Sequence, residues 1–484
     1  MPLSSRAVPP SWPVPAAPVT RRTFSDPGLW IIAGTAILLW IGGFPKPHID
    51  DLFFSGAGVE LARSGQLVNP WIAPWMMSLG TDRFYAQPPV LPYAIAGWVT
   101  VFGVSASSLT AFHLVAQAVV CGITFCVARR RGVSRPIALA ASAVILIFLV
   151  EQGMRPEALA LALIAASQIT FATSSGLRMS VSALLAAAAT LTHPLFLSLA
   201  VPLHAWRGLE ALRTNRLQAF TGATAIGLGV AFVAFVAAIR GEVVEFVQVM
   251  RLHSSVIAPP WSQAPANFWG EFTLGKQAYL LGPAWLLILV GATCTLRIAS
   301  PGGATLRSLW VCWLAATLIG IFFHPTRMVH YATHFGLVLA IVSFGCSPWR
   351  GLFTTAALTV VAIQHAAIFA VPLFGDIRSP NVAWIKAAIA RHPGRTLCID
   401  DVAARYIYDF KLPPGSVDWT QRQSTRLGSS GTLAAKPSNE LWIATEWKIE
   451  HSIRDSVTHA ERLKIGSARF GSIARQPYQL VVIE

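Results

Sequence analysis

The sequence predicts an α-helical polytopic membrane protein that ends in a small α/β extramembrane domain, and three observations carry that expectation. Of 484 residues, 54% are hydrophobic and only 12% are charged, where soluble chains carry about a quarter; the mean hydropathy is +0.55. Apolar windows such as Leu29 to Phe44, Phe220 to Ile239 and Leu352 to Phe374 approach the ~20 residues with which a helix crosses ~30 Å of hydrocarbon. After Gly375 the apolar runs shorten to strand length. The formal charge of +15 comes as small arginine groups between apolar segments and forms no continuous stripe. These groups read as topology signals and not as a nucleic-acid surface.

Residues 1–27 are rich in proline and end in Arg21-Arg22, the composition of a disordered cytoplasmic tail. The apolar run from Leu29 lacks a small-residue cleavage site and reads as a retained anchor. The positive-inside bias then puts Asp50 and Asp51 on the external side. Residues 45–105 form a long first external loop in which Trp71, Trp75, Met76, Phe84, Tyr85 and Trp98 alternate with Pro and Gly, as expected of a segment lying on the bilayer interface. Val90 to Phe102 is read as a half-inserted helix, because a crossing there would send Arg129, Arg130, Arg131 and Arg135 outside. The rest alternates to about eleven crossings within residues 28–375. Arg240 to Lys276 is expected as an external loop, with a helix from about Tyr331 to Gly345. Residues 376–484 are expected as the external α/β domain, with strands at Thr396 to Ile399, Leu441 to Ala444 and Gln479 to Ile483. Asp400-Asp401 after the first of these reads as a helix cap. The six cysteines, Cys121, Cys126, Cys294, Cys312, Cys346 and Cys398, have no metal or disulfide spacing.

Three groups of polar residues meet on the external face under this topology. Asp50 and Asp51 are either a general base with a neighbour that orients it or joins in binding a divalent ion, or an acidic loop start that solvates a helix end. Arg155 and Glu157 flank Pro156 at a helix exit, where such a pair either lines a cavity or closes an internal salt bridge. The densest group is His324, Arg327, His330, Tyr331 and His334. On a helix His330 and His334 share a face, and Arg327 reaches it. A guanidinium flanked by imidazoles suits a phosphate better than a metal, since it repels cations and binds phosphate oxygens bidentately.

An acid pair after the first crossing, a long amphipathic loop with Gln87-Pro88-Pro89, then Phe102-Gly103 and a cytoplasmic arginine turn resembles the GT-C glycosyltransferases that use polyprenyl-phosphate sugars, among them protein O-mannosyltransferases and aminoarabinose transferases. Pro325-Thr326-Arg327, His330 and His334-Phe335-Gly336 are similar to the Pro-Thr-Lys-Trp-Thr-His-His-Phe-Gly element of cell-wall arabinosyltransferases, with three extra residues between. Gln87 stands where O-mannosyltransferases carry His, and Glu157 where many relatives carry Asp.

The resemblance implies a GT-C-like fold over residues 28–375 and inverting transfer of a sugar from a polyprenyl-phosphate donor to a glycan, lipid or protein acceptor. The setting it implies is the external leaflet of a bacterial inner membrane, with the C-terminal domain periplasmic. Asp50 would be the base. Asp51 would orient it or hold a divalent metal (Mg or Mn), and no other cofactor is implied. Arg327, His330, His334 and His324 would hold the donor phosphate, while Tyr85, Gln87, Arg155, Glu157 and Tyr331 would contact substrate. The competing readings are a lipid or sugar transporter, which would use ionisable residues along a pathway between repeats, and a non-catalytic membrane scaffold.

Overall fold

The computed structural model describes residues 26–45, 51–130, 132–151, 153–257, 278–296, 301–323, 325–346, 351, 355–356, 359, 386–387, 389–400, 404, 408–418, 439–445, 470–472, 475–478 and 480–483. Helices dominate. Asp26 caps α1 (Pro27–Ile41), accepting from the Gly28 amide at 2.9 Å. With Pro27 at the first helical position, where a missing N–H costs nothing, the start is sharply defined. The chain then passes through α2 (Asp51–Ser64), a 3-10 turn (Pro70–Ile72), α3 (Ala73–Ser78) and α4 (Val90–Phe102) to α5 (Ala106–Arg130).

α1 and α5 are antiparallel neighbours. Gly28 lies against Phe125 so closely that a Cβ would fall 2.2 Å from the ring, and Trp40 donates from Nε1 to the Ser107 carbonyl at 3.0 Å at the other end. The Asp26 carboxylate also takes Arg129 at 3.2 Å and Arg135 at 2.9 Å. The start of α1 and the end of α5 thus lie on one side, and the segment joining their opposite ends stays on the other. Val90–Phe102 has 13 residues, a helix of about 20 Å, shorter than the ~30 Å of hydrocarbon. It packs instead on α2, where Gly58 admits Ile95 and the Pro92 carbonyl.

From α5 the bundle continues through α6 (Arg135–Glu151), α7 (Glu157–Thr170), α8 (Gly176–Thr190), α9 (Leu197–Arg213), α10 (Leu217–Ala238), α11 (Val243–Ile257), α12 (Ala278–Leu296), α13 (Pro301–Phe323) and α14 (Pro325–Gly345). Small residues set the close approaches, as between membrane helices. A Cβ on Gly227 would meet the Ser180 carbonyl at 2.4 Å, and one on Gly291 would meet Ala340 at 2.6 Å. Polar pairs add to the packing: Ser142 and Cys121 exchange bonds between α5 and α6, and Ser167 and Ser182 meet at 3.1 Å between α7 and α8. The outer faces are apolar, with Trp30, Leu38, Phe232, Val233 and Val311 all more than half exposed. Such a surface is at home in lipid. Among the described residues, α5 and α10 are long and apolar enough to cross a membrane.

Two boundaries differ from expectation. Val243–Ile257, expected within a loop, is α11; Phe246, Val249 and His253 form its buried face at helical spacing, while Val244, Val247 and Leu252 stay exposed. α14 starts at Pro325, with proline again at the first position, so the whole element from 325 to 335 is helical. Of the last expected crossing, Leu352 to Phe374, the described residues hold only Thr355, Ala356 and Thr359.

Beyond residue 375, β1 (Thr396–Ile399), β2 (Val417–Asp418), β3 (Glu440–Thr445), β4 (Phe470–Ser472), β5 (Arg475–Tyr478) and β6 (Leu480–Ile483) are described. They form a sheet of order β2-β1-β3-β6, parallel except for β6, and a separate β4-β5 hairpin. Leu397, Ile399, Leu441 and Ile443 share one core with Leu52, Phe54, Ile95, Phe112 and Met154, and Asp409 accepts the Ala106 amide. The sheet thus sits on α2 and α4, at the end of the bundle that carries Asp51.

Candidate active site

Asp51 opens α2 and is fully buried. A carboxylate at 0% exposure needs donors, and one is the backbone amide of Met154, 3.1 Å from Oδ1 in the turn between α6 and α7. This turn is the organising feature of the site. Its next residues are Arg155 and Glu157, whose Nε and Oε1 lie 3.3 Å apart at 6% and 0% exposure. The guanidinium also stands over the Phe54 ring at 5.3 Å, so α2 supplies both the acid and an aromatic face.

Glu157 Oε1 also accepts a hydrogen bond from the Tyr331 hydroxyl of α14 at 2.7 Å. Phe148 of α6 packs against Tyr331 and His334, each at 5.1 Å between ring centres. His334 is buried one helical turn from His330. The structure therefore brings Asp51, Arg155, Glu157, Tyr331 and His334 to one end of the bundle from α2, α6–α7 and α14. The Arg155–Glu157 pair is a buried ion pair that α14 joins through Tyr331. Asp50 and His324 lie outside the described residues, as do the side chains of Arg327 and His330; the backbone of the latter two occupies the first turns of α14.

Tyr85 requires a correction. It was expected to stack on sugar, but it is 2% exposed; its hydroxyl donates to the Ile239 carbonyl at 3.2 Å and to the Glu242 carboxylate. Burial first, and Glu242 second, raise its pKa. Its ring packs on Phe246, so Tyr85 ties the first loop to the α10–α11 turn and has no free face. Gln87 stands at the same loop's end, half-buried, with Oε1 buried and without a hydrogen-bond partner.

As a metal site, the described donors do not fit. No group of three or more His, Cys, Asp or Glu side chains converges among the described residues, and Asp51 spends one oxygen on the Met154 amide.

The contributions of Met154 and Phe54 could not be read from the sequence. A backbone amide carries no residue signature, and a phenylalanine beside an acid pair reads as ordinary interfacial packing.

No family model matches the chain, and no curated protein matches it. Among solved structures, the crystal structure of ArnT from Cupriavidus metallidurans bound to undecaprenyl phosphate aligns with 95% of this chain and 98% of its own, with a TM-score of 0.41 and 13% identity. At that score and identity the likeness transfers no residue role.

Proposed function

We propose that this chain is an inverting glycosyltransferase that moves a sugar from a polyprenyl-phosphate donor to an acceptor hydroxyl, at the membrane face bearing Asp51. The observation that carries the reading is the convergence of a fully buried carboxylate with the Arg155–Glu157–Tyr331 network at one end of an apolar bundle. Buried ionisable groups in such a bundle are costly and mark a site for a charged ligand.

In this mechanism the acceptor hydroxyl gives its proton to the Asp50 carboxylate as its oxygen bonds to the anomeric carbon. The bond from that carbon to the donor phosphate breaks, and the electron pair leaves with the phosphate. The transition state is oxocarbenium-like and attack comes from the opposite face. Asp51, fixed by Met154, orients Asp50 and the acceptor. Arg327, His330 and His334, with His324 just before the helix, neutralise the phosphate as it leaves. Arg155, held by Glu157, and Tyr331 shape the sugar side, and Gln87 offers its buried oxygen to an acceptor hydroxyl. The setting is the external leaflet of a bacterial inner membrane.

The test is transfer of labelled sugar from a panel of polyprenyl-phosphate sugars by membranes holding the wild-type chain or the Asp50→Asn, Asp51→Asn and Arg327→Ala variants at matched levels. Loss of wild-type transfer in the variants supports the reading. Undiminished transfer in both aspartate variants contradicts it.

A further inference from the structure

Resting on the transferase reading, we propose that Asn69 is a positioning residue for that site, acting on Asp51 through the first turn of α2. No motif marks it: in Leu67-Val68-Asn69-Pro70 an asparagine before a proline reads as ordinary turn chemistry. In the structure Asn69 stands at the N-cap of the 3-10 turn Pro70–Ile72, yet its side chain makes no cap hydrogen bond, the usual use of an asparagine there. The amide is turned onto α2 instead. Nδ2 donates to the carbonyl of Leu52 at 3.1 Å and to that of Phe53 at 3.2 Å, the two residues that follow Asp51. Asn69 is 1% exposed, and its Oδ1 has no hydrogen-bond partner among the described residues. A buried amide oxygen without a donor is a cost, so the side chain is held in a pose that serves its N–H groups and leaves its oxygen unmet.

Those two bonds bear on the site because the first turn is the least constrained part of a helix, its amides having no intrahelical acceptor. In an α-helix the carbonyls of Leu52 and Phe53 take the amides four residues on, and Asn69 fills a second lone pair on each. The helix is therefore paired without Asn69, and what the amide adds is a fixed place for the turn. Asp51 is then fixed twice. Met154 holds its side chain through Oδ1, and Asn69 holds the backbone just after it. The same turn carries Phe54, whose ring centre lies 5.3 Å from the Arg155 guanidinium, so a shift of the turn would move Asp51 and Phe54 together. Gly56 lets the two segments approach: a Cβ there would fall 2.7 Å from Asn69 Oδ1 and 2.5 Å from the Trp71 ring. The contact is thus built from both sides, by an asparagine that leaves its own turn uncapped and a glycine that makes room for it.

Purified protein carrying Asn69→Leu or Asn69→Ala, alone and combined with Asp51→Asn, is compared with wild type, Asp51→Asn and Gly227→Val. The readouts are kcat, KM for a polyprenyl-phosphate sugar, and the unfolding midpoint. Leucine keeps the branched shape and removes both donors, alanine removes the whole amide, and either variant that folds decides the question. Each should lower kcat about 10- to 100-fold, the cost of a misplacement approaching an ångström, with donor KM within about twofold. Added to Asp51→Asn, the same substitution should cost less than about threefold more, because both act through one side chain. Gly227→Val, strained at the α8–α10 contact, should keep wild-type kcat, which separates the effect from a general loss of stability. Wild-type kcat in the Asn69 variants, kcat and KM moving together, a full multiplicative loss on top of Asp51→Asn, an equal loss in Gly227→Val, or failure of both Asn69 variants to fold would each overturn the inference. If Asp51→Asn lowers transfer while the Asn69 variants keep wild-type kcat, this inference alone fails; if the wild type transfers nothing, the transferase reading fails and takes this one with it.

Discussion

Replacing Glu157 by glutamine should destabilise the protein more than removing the whole ion pair. Glu157 is fully buried and Arg155 nearly so, with Nε and Oε1 3.3 Å apart. Glutamine keeps a carbonyl for the Tyr331 hydroxyl, now 2.7 Å from Oε1, but leaves the guanidinium buried without its counter-charge. Breaking a buried pair from one side costs about 3–5 kcal/mol, whereas replacing both members with neutral groups of similar volume is often close to neutral. The double variant Arg155→Met, Glu157→Gln keeps side-chain bulk over Phe54 and should lie within about 1 kcal/mol of wild type, so with each single costing about 3–5 kcal/mol the coupling energy is roughly 5–10 kcal/mol. Reversible unfolding by dodecyl sulfate in mixed micelles, followed by tryptophan fluorescence, measures all four corners of the cycle. Under the proposed function, in which Arg155 and Glu157 act on the sugar side of the donor, the double variant should fold yet lose sugar transfer. A Glu157→Gln protein within about 1 kcal/mol of wild type, or a double variant destabilised by the sum of the singles, would refute the reasoning.

Asp51→Asn should cut transfer by about 10²-fold, the cost of a misoriented base and acceptor, at wild-type stability, since the amide oxygen can still accept from Met154; comparing activity with unfolding midpoints checks both halves. Tyr85→Phe should lose about 1–3 kcal/mol of stability from its buried hydrogen bonds while kcat and donor KM stay at wild-type values, and a selective loss of activity would restore a substrate role to this residue. Asp26 has its folded pKa lowered, first by the Gly28 amide and then by Arg129 and Arg135. Its contribution is therefore present above the unfolded carboxyl value of about 3.9 and is lost as pH falls through the folded value. The stability gap between wild type and Asp26→Asn, measured by unfolding at a series of pH values, should be flat above about pH 5 and close below about pH 4. Gly227→Val should destabilise by about 1–3 kcal/mol, since a Cβ there meets the Ser180 carbonyl at 2.4 Å; the same unfolding assay reads it.

Much of this arrangement was legible because charge is scarce in the chain. Asp51, Arg155, Glu157 and His334 stood out as polar groups beside apolar runs, and the structure gathers them at one end. The arginine turn after α5 was read as a topology signal, and its contact with Asp26 gives that reading a physical partner. Asp26 itself was overlooked, though an aspartate directly before a proline is a recognisable helix start. Tyr85 was misjudged because an aromatic in an amphipathic loop looks the same whether it faces a ligand or Glu242. α11 was passed over because it lies in the stretch from Arg240 to Lys276, whose Pro259, Pro260, Trp261 and Trp269 read together as a loop. The bond from the Met154 amide to Asp51 depends on how α2 meets the α6–α7 turn, and a single sequence carries no trace of that.

The most direct measurement is made on purified protein in proteoliposomes with a polyprenyl-phosphate sugar donor and an acceptor supplied from the Asp51 side, following the lipid by mass spectrometry and the sugar anomer by nuclear magnetic resonance. The account predicts release of polyprenyl phosphate and a product of inverted anomeric configuration, both lost with Asp51→Asn. Appearance of intact donor in the opposite leaflet, with no bond broken, would contradict it and make the protein a lipid transporter.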